Sequence, residues 1–394
     1  MKRRKSKSLA RVFKFKLYPT KKQITLLNQQ LRQACDLYNC ALFQRKDTYS
    51  RFKKLVSYRT QAKEFTECRA EGLTSLSSAT CGQNVLIRLQ NAYDAMFDRI
   101  KANKLILDPT QKKPIGVPRY RPHRRYNSLT FPMYGASAKI HDNGKLYVQG
   151  IGEIKIKMHR EIKGVIKTVT VVRSCGQWFV SFGCDVEKEP LPESTLQVGI
   201  DVGLESFAIL SNNEFIKNPR YFKNSEAKLR RANRKVARRV KYSKRRAKAI
   251  VELQKVSRKV ANQRRDFHHK VSYTLILIYG LICIEDLNIE GLARSFLAKS
   301  VHDVGWSNFF RMLTYKAESA GRELIKVDPR GTSQRCHVCG TVVKKELSVR
   351  WHECPSCGLS IHRDLNSAKE ILRLGLSLKD ITWSDSSCVS LEAA

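Results

Sequence analysis

The stretch QVGIDVG, residues 197–203, decides how the rest of the chain is read. Val198, Gly199, Ile200, Val202 and Gly203 make a short, mostly apolar strand, and Asp201 stands in its middle. A buried carboxylate is costly unless a cation, a partner or solvent meets it. Taken alone, Asp201 is an ordinary acid satisfied at a strand end or turn. The reading changes only if other acids elsewhere in the chain can share its role.

Two do. VGIDVGLESFAIL (198–210) reads as strand, tight turn, strand, and GLICIEDLN (280–288) reads as a second buried strand ending in acids. Glu285 follows its apolar run Leu281–Ile284, and Asp364 opens a late helix, DLNSAKEILRLG. Singly, Asp364 could cap its helix, and Glu285 or Asp286 could be a routine strand-end acid. Together Asp201, Glu285 and Asp364 form an ordered set: one acid on the first strand of a mixed sheet, one on a later strand, one on a late helix. Three clustered carboxylates repel one another unless cations are bound, and hard oxygen ligands suit Mg(II) or Mn(II). Two such ions about 4 Å apart can activate water and stabilise the leaving oxygen in phosphodiester hydrolysis.

The second chemical signal is Cys336-x2-Cys339, fourteen residues, then Cys354-x2-Cys357. Each pair presents two thiolates from one turn, as tetrahedral Zn(II) requires. Gly340 and Gly358 follow the second cysteine of each pair, where a knuckle needs a permissive backbone. A redox pair of CxxC motifs is the competing reading. His337 and His352 could substitute as ligands, but four thiolates close the shell, which makes the zinc structural. The other eight cysteines are scattered, as in a reduced cytosolic protein.

Composition bounds the partners. Among 394 residues, 74 Lys and Arg face 35 Asp and Glu, a net charge of +39. With 42% hydrophobic residues this is a folded chain, so the charge points to a polyanion, nucleic acid first. From 220 to 270 there are 20 Lys and Arg against Glu226, Glu252 and Asp266, on two helical patterns that make a basic hairpin. The usual reading of such a run is a solvated face, but this density calls for an anion nearby. The apolar stretch VSYTLILIYGLICI (271–284) is too short to span a bilayer, and the basic N-terminus lacks a signal core. The expectation is a cytoplasmic protein with no membrane partner.

Periodicity outlines a multidomain α+β chain. Residues 1–19 give a first strand and 20–110 a helical lobe, with Thr20 and Gln23 as a capping box. Residues 111–195 give a β module that the first strand joins. Its entry, KKPIGVPRYRPHRRY, carries Arg119, Arg121, Arg124 and Arg125. A nuclease-like core spans 196–330, the zinc ribbon 331–358, a last core segment 359–376 and a polar, mobile tail 377–394.

VGIDVGLESFAIL, LICIEDLN, the CxxC pairs and HRDLNSAKEIL, in that order, resemble the RuvC-type nuclease half of TnpB, a transposon-encoded family related to compact type V CRISPR effectors. FKFKLYPTKKQ, QNVLIRLQNAYDAMF and GVPRYR resemble its N-terminal half, so the likeness covers nearly the whole chain. The resemblance implies an RNase H-like (RuvC) domain with an inserted zinc ribbon, a β-barrel wedge domain and a helical recognition lobe. It implies RNA-guided DNA cleavage. Partners would be a guide RNA derived from the transposon end and target double-stranded DNA with an adjacent motif, with one protein per RNA. It carries the catalytic role to Asp201, Glu285 and Asp364, and contact with the adjacent motif to Tyr58 and Gln83. Arg119, Arg121, Arg124 and Arg125, with Arg230, Arg231, Arg234, Arg238, Arg239, Arg245 and Arg246, would line a heteroduplex channel. One departure stands out: the family's second Asn in the last motif is Glu370 here. Competing functions are a guided DNA-binding repressor without cleavage and a DNA transposase. A generic zinc-ribbon binder leaves the three acids unexplained.

Overall fold

The computed structural model describes residues 8–188, 190–292, 294, 298–346 and 349–388. They divide into two compact units, Met1–Glu187 and Lys188–Ala394. Among the described residues no helix is long and apolar enough to cross a membrane.

In the first unit, strand β1 (Ser8–Tyr18) leads into helix α1 (Lys21–Phe52). Thr20 and Gln23 form the expected reciprocal cap: the Thr20 hydroxyl accepts the Gln23 N–H at 3.3 Å, and the Gln23 side chain accepts the Thr20 N–H at 3.0 Å. Leu27, Leu31, Ala34, Tyr38 and Ala41 recur at helical spacing and are buried. Helix α3 (Ala79–Lys104) packs on α1, and α2 (Tyr58–Ala70) packs on α3 and is tied to α1 through Gln61, whose side chain accepts from Arg45 and donates to the Ala41 carbonyl. Six further strands follow: β2 (Ser128–Phe131), β3 (Ala138–Ile140), β4 (Leu146–Val148), β5 (Gly152–Lys157), β6 (Val165–Ser174) and β7 (Gln177–Glu187). They make an antiparallel sheet ordered β2-β6-β7-β1-β5-β4-β3. The N-terminal strand thus joins the β module, paired on both edges. Its ladder has two ends, β2 and β3, so among the described residues the expected barrel is not closed by a continuous ladder. Both end strands are short, and the chain between them is held by single links such as the Tyr134 N–H to the Lys167 carbonyl at 3.1 Å. Helices and sheet share one apolar core that includes Phe15, Tyr38, Leu89, Ile154 and Phe182.

The second unit is built on a mixed sheet. Its strands are β8 (Gln197–Val202), β9 (Ser206–Leu210), β10 (Phe215–Lys217), β11 (Leu281–Glu285) and β12 (Glu323–Val327), ordered β10-β9-β8-β11-β12. β10, β9 and β8 pair antiparallel with one another, while β11 is parallel to both β8 and β12. Between β10 and β11 come α4 (Tyr221–Ala237) and α5 (Lys244–Ile278), the basic hairpin. Between β11 and β12 come α6 (Ile289–Leu292), α7 (Ala298–Val304) and α8 (Trp306–Ala320). Strands β13 (Trp351–Glu353) and β14 (Ser360–His362) pair within the cysteine-bearing segment, and α9 (Arg363–Cys388) follows.

Side chains of β11 alternate between two cores. Ile282 and Ile284 pack with Phe207, Ile276, Phe309 and Leu313 on one side. Leu281 and Cys283 pack with Val327 and Ile371 of α9 on the other. Gly199 explains how closely α9 can lie on the sheet: a β-carbon there would sit 2.1 Å from the Ala368 carbonyl oxygen. Gly375 does the same from the helix side, where a β-carbon would meet the Cys283 sulfur at 2.2 Å. The sequence reading begins a polar tail at 377; α9 instead runs on to Cys388, and residues 389–394 lie outside the described residues.

Candidate active site and cysteine cluster

Parallel pairing sets Ile200 beside Ile284. The next residues, Asp201 and Glu285, therefore leave neighbouring strands at the same level. Helix α9, pressed onto β8 through Gly199, brings Asp364 in its first turn. Of the three acids that the sequence joined across 163 positions, Glu285 and Asp364 come close enough to Asp201 to shift it. Burial, then the charges of Glu285 and Asp364, push the Asp201 carboxyl well above the ordinary carboxylate range, with Arg363 acting in the opposite sense.

Each acid has its own support. Glu285 is 8% exposed, and burial raises its carboxyl too. The Thr332 hydroxyl donates to Glu285 Oε1 at 2.5 Å and offsets part of that rise. Asp286 takes the ordinary role the sequence left open: it is exposed and pairs with Lys326 at 2.8 Å. Asp364 is flanked by guanidiniums, Arg363 Nε at 3.0 Å and Arg350 Nη1 at 3.8 Å. Arg350 also reaches Glu205 at 3.3 Å. The Asp364 N–H donates to His362 Nδ1 at 3.3 Å, so the imidazole serves the helix start and the Asp364 carboxylate faces the arginines. Thr332 and Arg350 belong to no spacing pattern, and only the fold brings them to the acids.

The four cysteines converge much more tightly. Their sulfur atoms all lie within 4.8 Å of one another, and among the described residues this is the group gathered closely enough to hold one ion. Cys336 and Cys357 sulfurs are 3.7 Å apart, and Cys339 and Cys354 sulfurs 3.5 Å apart. A Zn–S bond of about 2.3 Å gives a tetrahedral edge of roughly 3.8 Å, so the set fits zinc. Gly340 and Gly358 adopt φ of +76° and +70°, the left-handed turns that the knuckle spacing called for. His337 and His352 stand outside the group: His337 faces the Asn366 side chain, and His352 contacts Lys345.

Buried polar residues of α9 bolt this cluster to the sheet. Asn366 is fully buried; its amide donates to the Arg335 carbonyl at 2.7 Å and its oxygen accepts the His337 N–H at 3.1 Å. Glu370 is equally buried and takes a two-pronged pair from Arg373 at 2.7 and 2.8 Å, with Arg335 at 3.8 Å. A carboxylate there is held by cations that an Asn would not need.

The remaining expected residues are dispersed. Tyr58 begins α2 and packs against the first unit's core, and Gln83 lies half-buried in the first turns of α3. Arg119, Arg121, Arg124 and Arg125 are exposed, and Arg121 lies 4.7 Å over the Tyr38 ring. On the hairpin, Arg230, Arg231, Arg234, Arg238, Arg239 and Arg245 are exposed, while Arg246 is half-buried.

Comparison with known proteins agrees along the chain. Residues 9–54 match a helix-turn-helix domain family, 181–295 a family described as "Probable transposase", and 306–371 the "Cas12f1-like, TNB domain" family. A Streptomyces pristinaespiralis protein named "Putative RNA-guided DNA endonuclease" is 34% identical over 377 residues, 93% of this chain and 90% of its own. The chain belongs to the TnpB family. The Escherichia coli K12 protein InsQ, of the same description, is 28% identical over 92% of each chain. Among solved structures, a Cas12f1–sgRNA–target DNA complex superposes with a TM-score of 0.58 at 13% identity, covering 93% of this TnpB-family chain and 99% of that one. This likeness concerns the fold.

Proposed function

We propose that this chain is an RNA-guided DNA endonuclease whose hydrolytic centre is Asp201, Glu285 and Asp364. The observation that carries the reading is the convergence of these acids from β8, β11 and α9, with Asp201 raised first by burial and then by the charges of the other two. The sheet order β10-β9-β8-β11-β12, antiparallel then parallel, supports an RNase H-like (RuvC) domain. Asp201, Glu285 and Asp364 would hold two Mg(II) or Mn(II) ions, which when bound supply a water nucleophile and charge stabilisation at the scissile phosphate. The chain's own part is to orient the acids: Thr332 fixes Glu285, and Arg350 and Arg363 fix Asp364. The four cysteines would hold one structural zinc. A guide RNA from the transposon end supplies base pairing, and the exposed arginines of each unit grip sugar–phosphate backbones. Tyr58 and Gln83 would face the target-adjacent motif.

The test is a cleavage assay. Protein expressed with its flanking DNA is purified with any guide RNA, which is sequenced. A plasmid library with a matching target and randomised flanks is then offered with Mg(II) or EDTA. Cuts that need the match, one flanking motif, Mg(II) and Asp201 support the reading. Motif-dependent binding without cuts points to a guided repressor.

A further inference from the structure

Beside the acid centre lies a cleft of about 580 Å³. Its walls are the β8–β9 turn at Leu204, the start of α4, helix α7 and Arg350 of the cysteine-bearing segment. Arg350 also reaches Asp364 at 3.8 Å, so the cleft opens one guanidinium away from the acids. Its volume falls within the roughly 300–1,000 Å³ of clefts that hold small ligands.

Four cations and three acids line the cleft, yet the acids are already engaged. Glu205 pairs with Arg350 at 3.3 Å, and Glu226 pairs with Lys299 at 2.6 Å. Asp303 accepts the Phe222 and Lys223 N–H groups at 2.9 and 3.3 Å. The start of α4 is therefore satisfied from within the protein and is not what would draw an anion. The side chains of Arg220 and Lys223 remain, and among the described residues they form no ion pair.

Arg220 is also held in an unusual way. It precedes α4 with φ of +47°, a region that suits Gly or Asn and is costly for a long side chain. Asn213, at φ of +71° in another turn, shows the usual choice. The Arg220 N–H donates to Asn218 Oδ1 at 3.1 Å, and the Asn218 amide donates to the Leu204 carbonyl at 2.8 Å. This backbone is thus pinned to the turn that follows Asp201. A guanidinium kept on a strained backbone, at a cleft beside the acids, points to use rather than to folding.

We propose that the cleft is the subsite for one nucleotide of the cut DNA strand, next to the scissile phosphate, with Arg220 and Lys223 on that nucleotide's own phosphate. Leu204 and Phe222 give it an apolar wall, which suits a nucleotide rather than a bare anion. Guanidinium–phosphate bonds are charge-assisted, and a nucleotide fixed one step away sets which phosphate lies over the acids. The inference rests on the nuclease reading and deepens it by naming what sets the register of the cut strand.

The test uses the full chain with its guide RNA. Cut positions are mapped by sequencing the products that wild type makes from a matched target. Targets are then made in which each cut-strand phosphate flanking the scissile one is replaced in turn by a neutral methylphosphonate, and single-turnover rates are measured in Mg(II). One such replacement is expected to slow wild type about tenfold. Arg220→Gly, in which glycine suits the left-handed backbone and should melt close to wild type, is expected to cut the native target about tenfold more slowly and to be indifferent to that same replacement. Arg220→Lys, which keeps a cation, should retain the sensitivity. An Arg220→Gly protein that is slowed as much as wild type by the replacement, or that cuts the native target at the wild-type rate, overturns the proposal and leaves guided cleavage established. So does a wild type that no flanking replacement slows. Wild type that makes no guided cut overturns the functional reading and this proposal with it.

Discussion

The cysteine cluster and the acid centre share one unit but are assembled in opposite ways. Two short loops bring four sulfurs within 4.8 Å, whereas the acids come from residues 201, 285 and 364 on three separate elements. Thiolates three positions apart are gathered by a single turn, so the geometry is local. Carboxylates from distant strands are gathered by packing, and they repel as they approach. Arg350, Arg363 and Thr332 supply part of the missing compensation, and Asp201 shows the remainder as a raised carboxyl. The lesson is that the metal-type site with local spacing is preformed, while the long-range one stores electrostatic strain that cations would relieve.

Asp201→Asn breaks the comparison most severely. Guided cleavage should fall by about a thousandfold or more, read on a matched plasmid. The same change should stabilise the metal-free protein at neutral pH. Because the folded carboxyl is raised, stability contributed by its protonated form is lost as pH rises from the unfolded value through the folded one. Melting in EDTA against pH should show that slope for wild type and a flatter one for the variant. Added Mg(II) should raise the wild-type melting temperature more than the variant's.

Cys354→Ser attacks the local site. Zinc per chain, measured by metal analysis, should drop towards zero and cleavage by about tenfold or more, with far-UV circular dichroism largely kept. Retained zinc would show that the spacing is not what holds it. Thr332→Val sharpens the acid side. Without the hydroxyl that lowers it, Glu285 should titrate at higher pH, so the acid limb of the cleavage profile moves up and activity near neutrality falls a few-fold, roughly 3-fold. Arg350→Ala should have the smallest effect. Its ion pairs are half-exposed and worth about 0.4 kcal/mol or less, so the Mg(II) concentration for half-maximal rate should fall by at most about 2-fold.

Much of this was legible in the chain. The four cysteines, their glycines, the Thr20–Gln23 cap, the strand that ends in Glu285 and the hairpin of charge all follow from local spacing and periodicity. The barrel closure and the start of a tail at 377 did not carry over as read. Short strands at a sheet edge have no local signature of closure, and the polar residues after 377 continue a helix whose earlier turns are anchored by Ile371 and Gly375 against β11. Nor could periodicity find Thr332 or Arg350. A hydroxyl 47 positions from Glu285 or a guanidinium 14 positions from Asp364 has no pattern to betray it.

By itself, then, the sequence determined which residue types are candidates for the chemistry, because thiolate spacing, strand-end acids and charge density are properties of neighbours along the chain. Tertiary structure alone decided that Asp201, Glu285 and Asp364 meet, because parallel register sets two of them level and a missing β-carbon at Gly199 lets α9 bring the third against the sheet. It also decided that Glu370, a departure in the last motif, is a buried anchor for Arg373 and Arg335, since only packing shows which charges share a low-dielectric interior.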